Sequence, residues 1–473
     1  MWDAQAQPAG FAPHRWARQP QKPASWGESR RADRGDIRLG IPTGYRDSNG
    51  QRMRVRTAAV KAAFRSMRHR NARLFFIGLF VSSIGQWIYI TALSILLDRL
   101  TGQTTTIGVM MALQFTPMLL LGAYGGAIAD QFNRLKLVKL TQLGMTLQAV
   151  AIAVVDLTGV VNVPIVYGLS IVLGLLLAFD NPARRGFVTE LVPDEDVANA
   201  ISLSTAVMTG SRIIGPAIAA LLIGPLGTGW LFILNAVSFV VILVSLAFIR
   251  GDELFTTKLT KRGGTPVRDV VVWMRNSPVL WVPFVTFAVV AASGFNYGVI
   301  LPRLAREVWG AEQWFGWVLT TLSIGSLFGS LMTASLHKVR LRWVFATGML
   351  LVAGTIALSW SPSGWVALLT AVPVGMGSAA YVTSVNALTQ QECPADMRAR
   401  VLAMVAVAFL GSYPIGGPLT GLAGDHIGLA WALTAGAVIA GTALLSMAWW
   451  ALGRQPGVGR MQALRGLRRT SGA

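Results

Sequence analysis

Charges set inside apolar runs are where chemistry would begin in this chain. The stretch from Gly122 to Lys139, GAYGGAIADQFNRLKLVK, steps through Gly122, Gly125 and Gly126 and reaches Asp130. It then turns at Asn133, shows Arg134, Lys136 and Lys139, and becomes apolar again. That is a tight basic loop between two membrane helices, in which Asp130 either caps the loop or takes part in an acid–base contact. A second charge, Arg212, lies about fourteen residues into an apolar stretch, where an ionised side chain costs at least several kcal/mol unless paired or hydrated. Two readings stay open for it: attracting an anionic cargo or modulating a proton site in a central cavity, or bracing backbone carbonyls at a helix joint. Such a joint is written beside it as Gly215-Pro216. The proline removes one helix hydrogen bond and the glycine lets a neighbouring helix approach.

Other chemistry is missing from the sequence. It holds no Gly-x4-Gly-Lys-Ser/Thr loop for ATP. His14, His69, His337 and His426 are scattered, with no metal-ligand spacing, and no Ser-His-Asp arrangement occupies a plausible pocket. Neither an enzyme, a bound cofactor nor a metal is expected, so transport would draw on an ion gradient, with protons foremost, or run downhill. No carboxylate lies at mid-depth: Asp98 and Asp156 fall at outer ends of apolar stretches, Asp130 and Asp180 at inner ends.

The elements that position these residues are long apolar stretches. With 473 residues, 53% hydrophobic and 13% charged, the chain reads as a polytopic membrane protein. Twelve stretches, from 74–97 to 429–452, each approach the roughly 20 residues that a spanning helix needs. The net charge of +20 crowds the loops and tails rather than marking a nucleic-acid partner. Outer loops hold only Arg99, Arg303 and Arg306, which puts both termini in the cytoplasm. The single Cys393 permits no internal disulfide.

Residues 1–53 read as a disordered basic tail and 54–73 as a basic amphipathic helix on anionic lipid. Met53 and Met67 are alternative starts that would make the tail a misread frame. Six-helix bundles follow at 74–249 and 279–452, joined by a cytoplasmic linker at 250–278 and followed by a basic tail at 453–473. The halves look like repeats. Glu190-Leu-Val-Pro193-Asp194 is followed 23 residues after its proline by Pro216, and Glu392-Cys-Pro394-Ala-Asp396 is followed 24 residues after its proline by Pro418.

The Gly122–Lys139 stretch resembles the loop signature of the major facilitator superfamily. Gly126, Ile128, Ala129, Asp130 and Arg134 occupy matching places, while Gln131, Asn133 and Leu135 depart from it. Asparagine is next best to glycine in a left-handed turn, so Asn133 is expected to take that conformation. The segment around Arg212, Gly215 and Pro216 resembles the facilitator antiporter motif, with Ala219 and Ala220 where two glycines often stand. Residues 179–193, 209–223, 229–246 and 386–428 are similar to the branch containing the enterobactin exporter and macrolide-type efflux proteins.

The resemblance implies an all-α fold of twelve transmembrane helices in two six-helix pseudo-repeats. It implies a monomeric exporter of an amphipathic small molecule, a drug-like compound or a siderophore, in a bacterial-type inner membrane. A non-transporting sensor or scaffold working through the basic tail is the alternative. By the same resemblance Asp130 would face the amino end of the eleventh helix near Arg398 and Arg400, and Arg134 would pair with Asp180 beside Arg184. Gln86, Trp87, Tyr89, Gln114, Asn296, Tyr297, Tyr381 and Asn386 would line the path, and each is equally a packing or interface residue.

Overall fold

The computed structural model describes residues 64–255 and 267–453. The expected tail at 1–53, the first half of the 54–73 helix, the middle of the linker and nearly all of the second tail lie outside the described residues. What is described is helical, with no strand among the described residues. Eleven segments are long and apolar enough to cross a membrane, and one of them contains two crossings, which makes twelve.

The first half runs α1 (Arg70–Thr101), α2 (Thr104–Gln131), α3 (Arg134–Leu157) and α4 (Val163–Glu190). The boundaries follow from side chains. Gly102 ends α1 in a left-handed conformation with φ 61°, and Asn162 caps α4 by accepting from the Ile165 N–H. Asn133 corrects the expected left-handed turn. It stands at φ −60°, and its Oδ1 accepts from the Lys136 N–H at 3.0 Å, capping α3 instead. A side chain that can cap removes the need for a positive φ.

The helix Val197–Ala247 continues as two crossings, α5 (197–226) and α6 (228–247), divided at Gly227 with φ 76°. Ahead of α1, residues Arg65–Arg68 form a single 3₁₀ turn rather than part of a surface helix. Asp196 and Asn199 hold it there, through Arg65 and His69 to Asp196 and Ser66 Oγ to Asn199 at 2.6 Å.

In the second half α7 comes in two pieces, Pro278–Gly294 and Tyr297–Glu307, parted at Phe295 and Asn296. Then come α8 (Gln313–Ala334), α9 (Leu341–Ser359), α10 (Gly364–Glu392), α11 (Ala395–Ile427) and α12 (Leu429–Leu452). A short helix, Val267–Arg275, precedes α7. Aromatic clusters fill the interior of each half: Phe75, Phe76 and Phe187 in the first, Phe287 and Tyr381 in the second. Leu140, Leu147, Val240, Leu369 and Trp449 face outward, as lipid rather than water requires.

The halves meet along α2 with α11 and along α5 with α8. Both seams depend on glycine. A Cβ on Gly108 would stand 2.3 Å from the Gly417 carbonyl oxygen, so α2 and α11 cross backbone against backbone. Gly215 fits against α1 in the same way, with a Cβ there 2.4 Å from that of Trp87. The repeated Gly-Pro steps thus sit at two tight crossings, one within the first half and one between the halves.

Candidate functional site: a central cavity between two charged ends

An even number of crossings puts the start of α1 and the end of α12 at one end of the bundle, the terminal end. The opposite end is called distal. Between them, α1, α2, α5, α7, α8 and α11 enclose a cavity of about 130 Å³. Arg212 enters it from the middle of α5 with its guanidinium carbon 5.1 Å from the centre of the Trp87 ring. Arg212 itself is exposed rather than enclosed, and the indole face adds a modest cation–π stabilisation. Gln114, Asn296 and Tyr297 also line the cavity, with Met110, Met111, Phe295 and Phe315 forming much of its apolar wall. Phe115 of α2 and Tyr413 of α11 stack across the halves at 4.4 Å. No aspartate or glutamate is among the lining residues.

Asn296 belongs to the break in α7. Its Nδ2 donates to the Ala292 carbonyl at 2.7 Å, which fixes the amide orientation, and its Oδ1 is buried without a hydrogen-bond partner. The other expected path residues lie elsewhere. Tyr89 turns into the first half against Phe232, where its hydroxyl accepts from Gln148 Nε2 at 3.0 Å. Tyr381 is fully buried against Phe287. Asn386 donates back to the Val382 carbonyl, and Gln86 is half-buried outside the cavity wall.

At the terminal end a larger cavity of about 610 Å³ is bordered by Gly126, Asp130, Arg134, Asn181 and Arg185 from the first half and by Ala406, Val407 and Leu410 of α11. Arg134 donates to Glu190 at 2.9 Å and to Asp130 at 3.2 Å. It does not pair with Asp180, contrary to the expectation. Asp180, 1% exposed, accepts from Thr141 at 2.8 Å and Gln142 at 3.0 Å and lies 3.3 Å from Arg184 Nε. Two separate acid–arginine sets therefore stand where one was expected. Arg398 is exposed on the first turns of α11, and Arg400 rests on Met397 at 3.6 Å.

The distal end is tied across the halves. Asp98 of α1, 2% exposed, receives Arg306 of α7 at 2.5 and 3.2 Å. Arg99 reaches Glu312 through Nε at 2.8 Å. Asp425 of α11 accepts the backbone N–H groups of Thr104 and Thr105 at 2.8 and 2.9 Å, both their hydroxyls, and Arg303 at 2.9 Å. It thereby caps the first turn of α2, where negative charge meets the positive end of the helix dipole.

Residues 61–455 match the transmembrane secretion effector family of major facilitator transporters. The chain belongs to that family. It is a multi-pass membrane transporter and not an enzyme. This secretion effector is 24% identical to the staphyloferrin A transporter of Staphylococcus aureus over 56% of its own length and 67% of that chain's. It is 26% identical to the multidrug efflux pump Tap of Mycolicibacterium fortuitum, covering 72% and 87% of the two chains. The fold is also that of a solved bacterial homologue of the human lysosomal transporter Spinster, with a TM-score of 0.62, 14% identity and 80% and 95% of the two chains covered.

Of the residues named from the effector's sequence, the fold gathers Trp87, Gln114, Arg212, Asn296 and Tyr297 around one cavity, and Gly126, Asp130 and Arg134 around another. Sequence reading misses Glu190 and the whole distal set. Asp98, Arg99, Arg303 and Arg306 stand in the sequence only as charges at helix ends, and nothing in their spacing pairs residues 122 to 213 positions apart. Asp425 is legible as an acid in a Gly-Asp-His turn, but its partner is a helix terminus, which carries no motif.

Proposed function

We propose that this secretion effector exports an amphipathic small molecule by alternating access, in exchange for protons, across a bacterial inner membrane. The observation that carries the reading is the central cavity: both halves contribute to its wall, and it holds a charge at mid-depth. Basic residues concentrated at the terminal end, among them Lys136, Lys139, Lys338, Arg340 and Arg342, favour a cytoplasmic placement for that end and hence for both termini. The conformation described has its distal end tied and its large terminal cavity in place, as a state that loads cargo from the cytoplasm would. The relatives named for siderophore transport and multidrug efflux support export of that class of molecule. A scaffold acting through its basic tail is not favoured, since the family match covers the spanning part of the chain.

In the proposed cycle the halves rock about the cavity. The Asp130–Arg134–Glu190 and Asp180–Arg184 sets, already formed within the first half, present the charged surface that meets α11 when the terminal side closes, and protonating a carboxylate changes that surface. The protein works as a monomer, and the basic tail rests on anionic lipid. The test uses inside-out vesicles with an imposed proton gradient and a panel of dyes, macrolides and catecholate siderophores. Gradient-dependent accumulation of one of them is expected, and its loss in Asp130→Asn with membrane insertion intact. Full flux in that variant would sink the proton latch, while no uptake of any candidate by folded protein would sink export of this class.

A further inference from the structure

Arg212 is a mid-depth cation with nothing negative to answer it. Among the described residues it has no ion pair and no hydrogen bond; it lies over the Trp87 face and interacts electrostatically with Tyr413 across the same cavity. An uncompensated guanidinium at this depth is costly, and an indole face offsets only part of that cost. Water supplies the remaining compensation at this exposed side chain, and an anion that enters the cavity would replace that water with a charged partner.

We propose that the cargo is an aromatic anion whose acidic group docks on Arg212 and whose ring lies against the methionine and phenylalanine wall. The inference rests on the export reading and names its substrate class. Three features of the cavity agree on it. Its single formal charge is positive and its wall holds no carboxylate, so a cationic ligand would meet repulsion and no partner. The guanidinium is a planar fork suited to a carboxylate, sulfonate or phenolate. Met110 and Met111 supply a soft, adaptable surface for a flat ring. A membrane potential negative on the cytoplasmic side then adds to the proton gradient in driving such an anion outward. At equilibrium this amounts to about fiftyfold in concentration per 100 mV for each charge, with no carboxylate needed at mid-depth.

The experiment measures binding and flux separately, with three probes of one shape and different charge: 1-naphthoate, 1-naphthylmethanol and 1-naphthylmethylammonium. Calorimetric titration of the full chain in detergent reads binding, and uptake into proteoliposomes reads flux. Naphthoate is expected to bind at least about tenfold more tightly than either analogue. Arg212→Gln lowers it to the level of the alcohol, and Arg212→Lys retains part of the preference. Equal binding of all three probes, preference for the ammonium, no binding of any, or undiminished naphthoate binding in Arg212→Gln would each overturn the anion site. The comparison among probes on the unaltered chain decides the matter even where Arg212→Gln fails to fold. Naphthoate binding without flux would overturn export and leave the anion site standing. Flux of the ammonium without naphthoate binding would do the reverse.

Discussion

Arg134 has three acids in its neighbourhood by sequence and uses two of them, Glu190 and Asp130. Its guanidinium lies close over Gly186, where a Cβ would stand 2.7 Å from Nε, and from there it reaches the last residue of α4. Asp180, ten residues earlier on α4, accepts from Thr141 and Gln142 through Oδ1 and pairs with Arg184 at 3.3 Å, its Oδ2 making no hydrogen bond. A double-mutant cycle separates the two sets. Arg134→Gln and Glu190→Gln should couple by on the order of 1 kcal/mol, whereas Arg134→Gln and Asp180→Asn should add independently. Thermal melts in detergent check this, and coupling to Asp180 would refute the geometry described. At this scale the sequence exposed which residues were charged and near a loop, because that needs only local spacing. Which acid each arginine chose depends on one turn of helix and on the missing side chain of Gly186, so the partner could not be read. Asn133 shows the same limit: its type predicts a turn, but capping by its side chain makes the positive φ unnecessary.

Elements were more legible than partners, since a bilayer demands the same run of apolar residues from every crossing. The break in α7 was not visible. Its prolines, Pro283 and Pro302, lie away from Phe295 and Asn296, and the break falls inside an otherwise apolar run. The Gly-Pro steps were visible as close-packing signals, but their neighbours were not: Gly215 meets Trp87 of α1, and Gly417 meets Gly108 of α2. The second crossing supports a prediction. Gly108→Val should force α2 and α11 apart, because its first carbon would already lie 2.3 Å from a backbone oxygen that cannot swing aside. The expected cost is about 1–3 kcal/mol, with transport lost and insertion into the membrane retained. Melting temperature and flux measured on the same preparation check both parts, and unchanged values in Gly108→Val would show that the crossing is not held this closely.

For the whole molecule, the repeat of Pro193 to Pro216 in Pro394 to Pro418 was enough to divide the chain into halves. The state those halves adopt was not legible, because one sequence must encode every state of the cycle. In the state described, the distal end is tied by contacts between halves, from Asp98 to Arg306, Arg99 to Glu312, and Asp425 to the first turn of α2. The first and third use carboxylates that are largely shielded from water, where a charged hydrogen bond is worth more than on an open surface. Asp425→Asn keeps the shape but loses the charge at the helix end and the attraction to Arg303. By ordinary cap and ion-pair magnitudes this removes about 1–2 kcal/mol from the tied state, enough to shift its population about five- to thirtyfold towards one with the distal end parted. Spin labels at Gln103→Cys and His426→Cys, both exposed at that end and on opposite halves, in a Cys393→Ser background, would report the shift as a second, longer distance. A single short distance both with Asp425 in place and in the Asp425→Asn variant would mean that helix packing, and not this carboxylate, keeps the distal end closed.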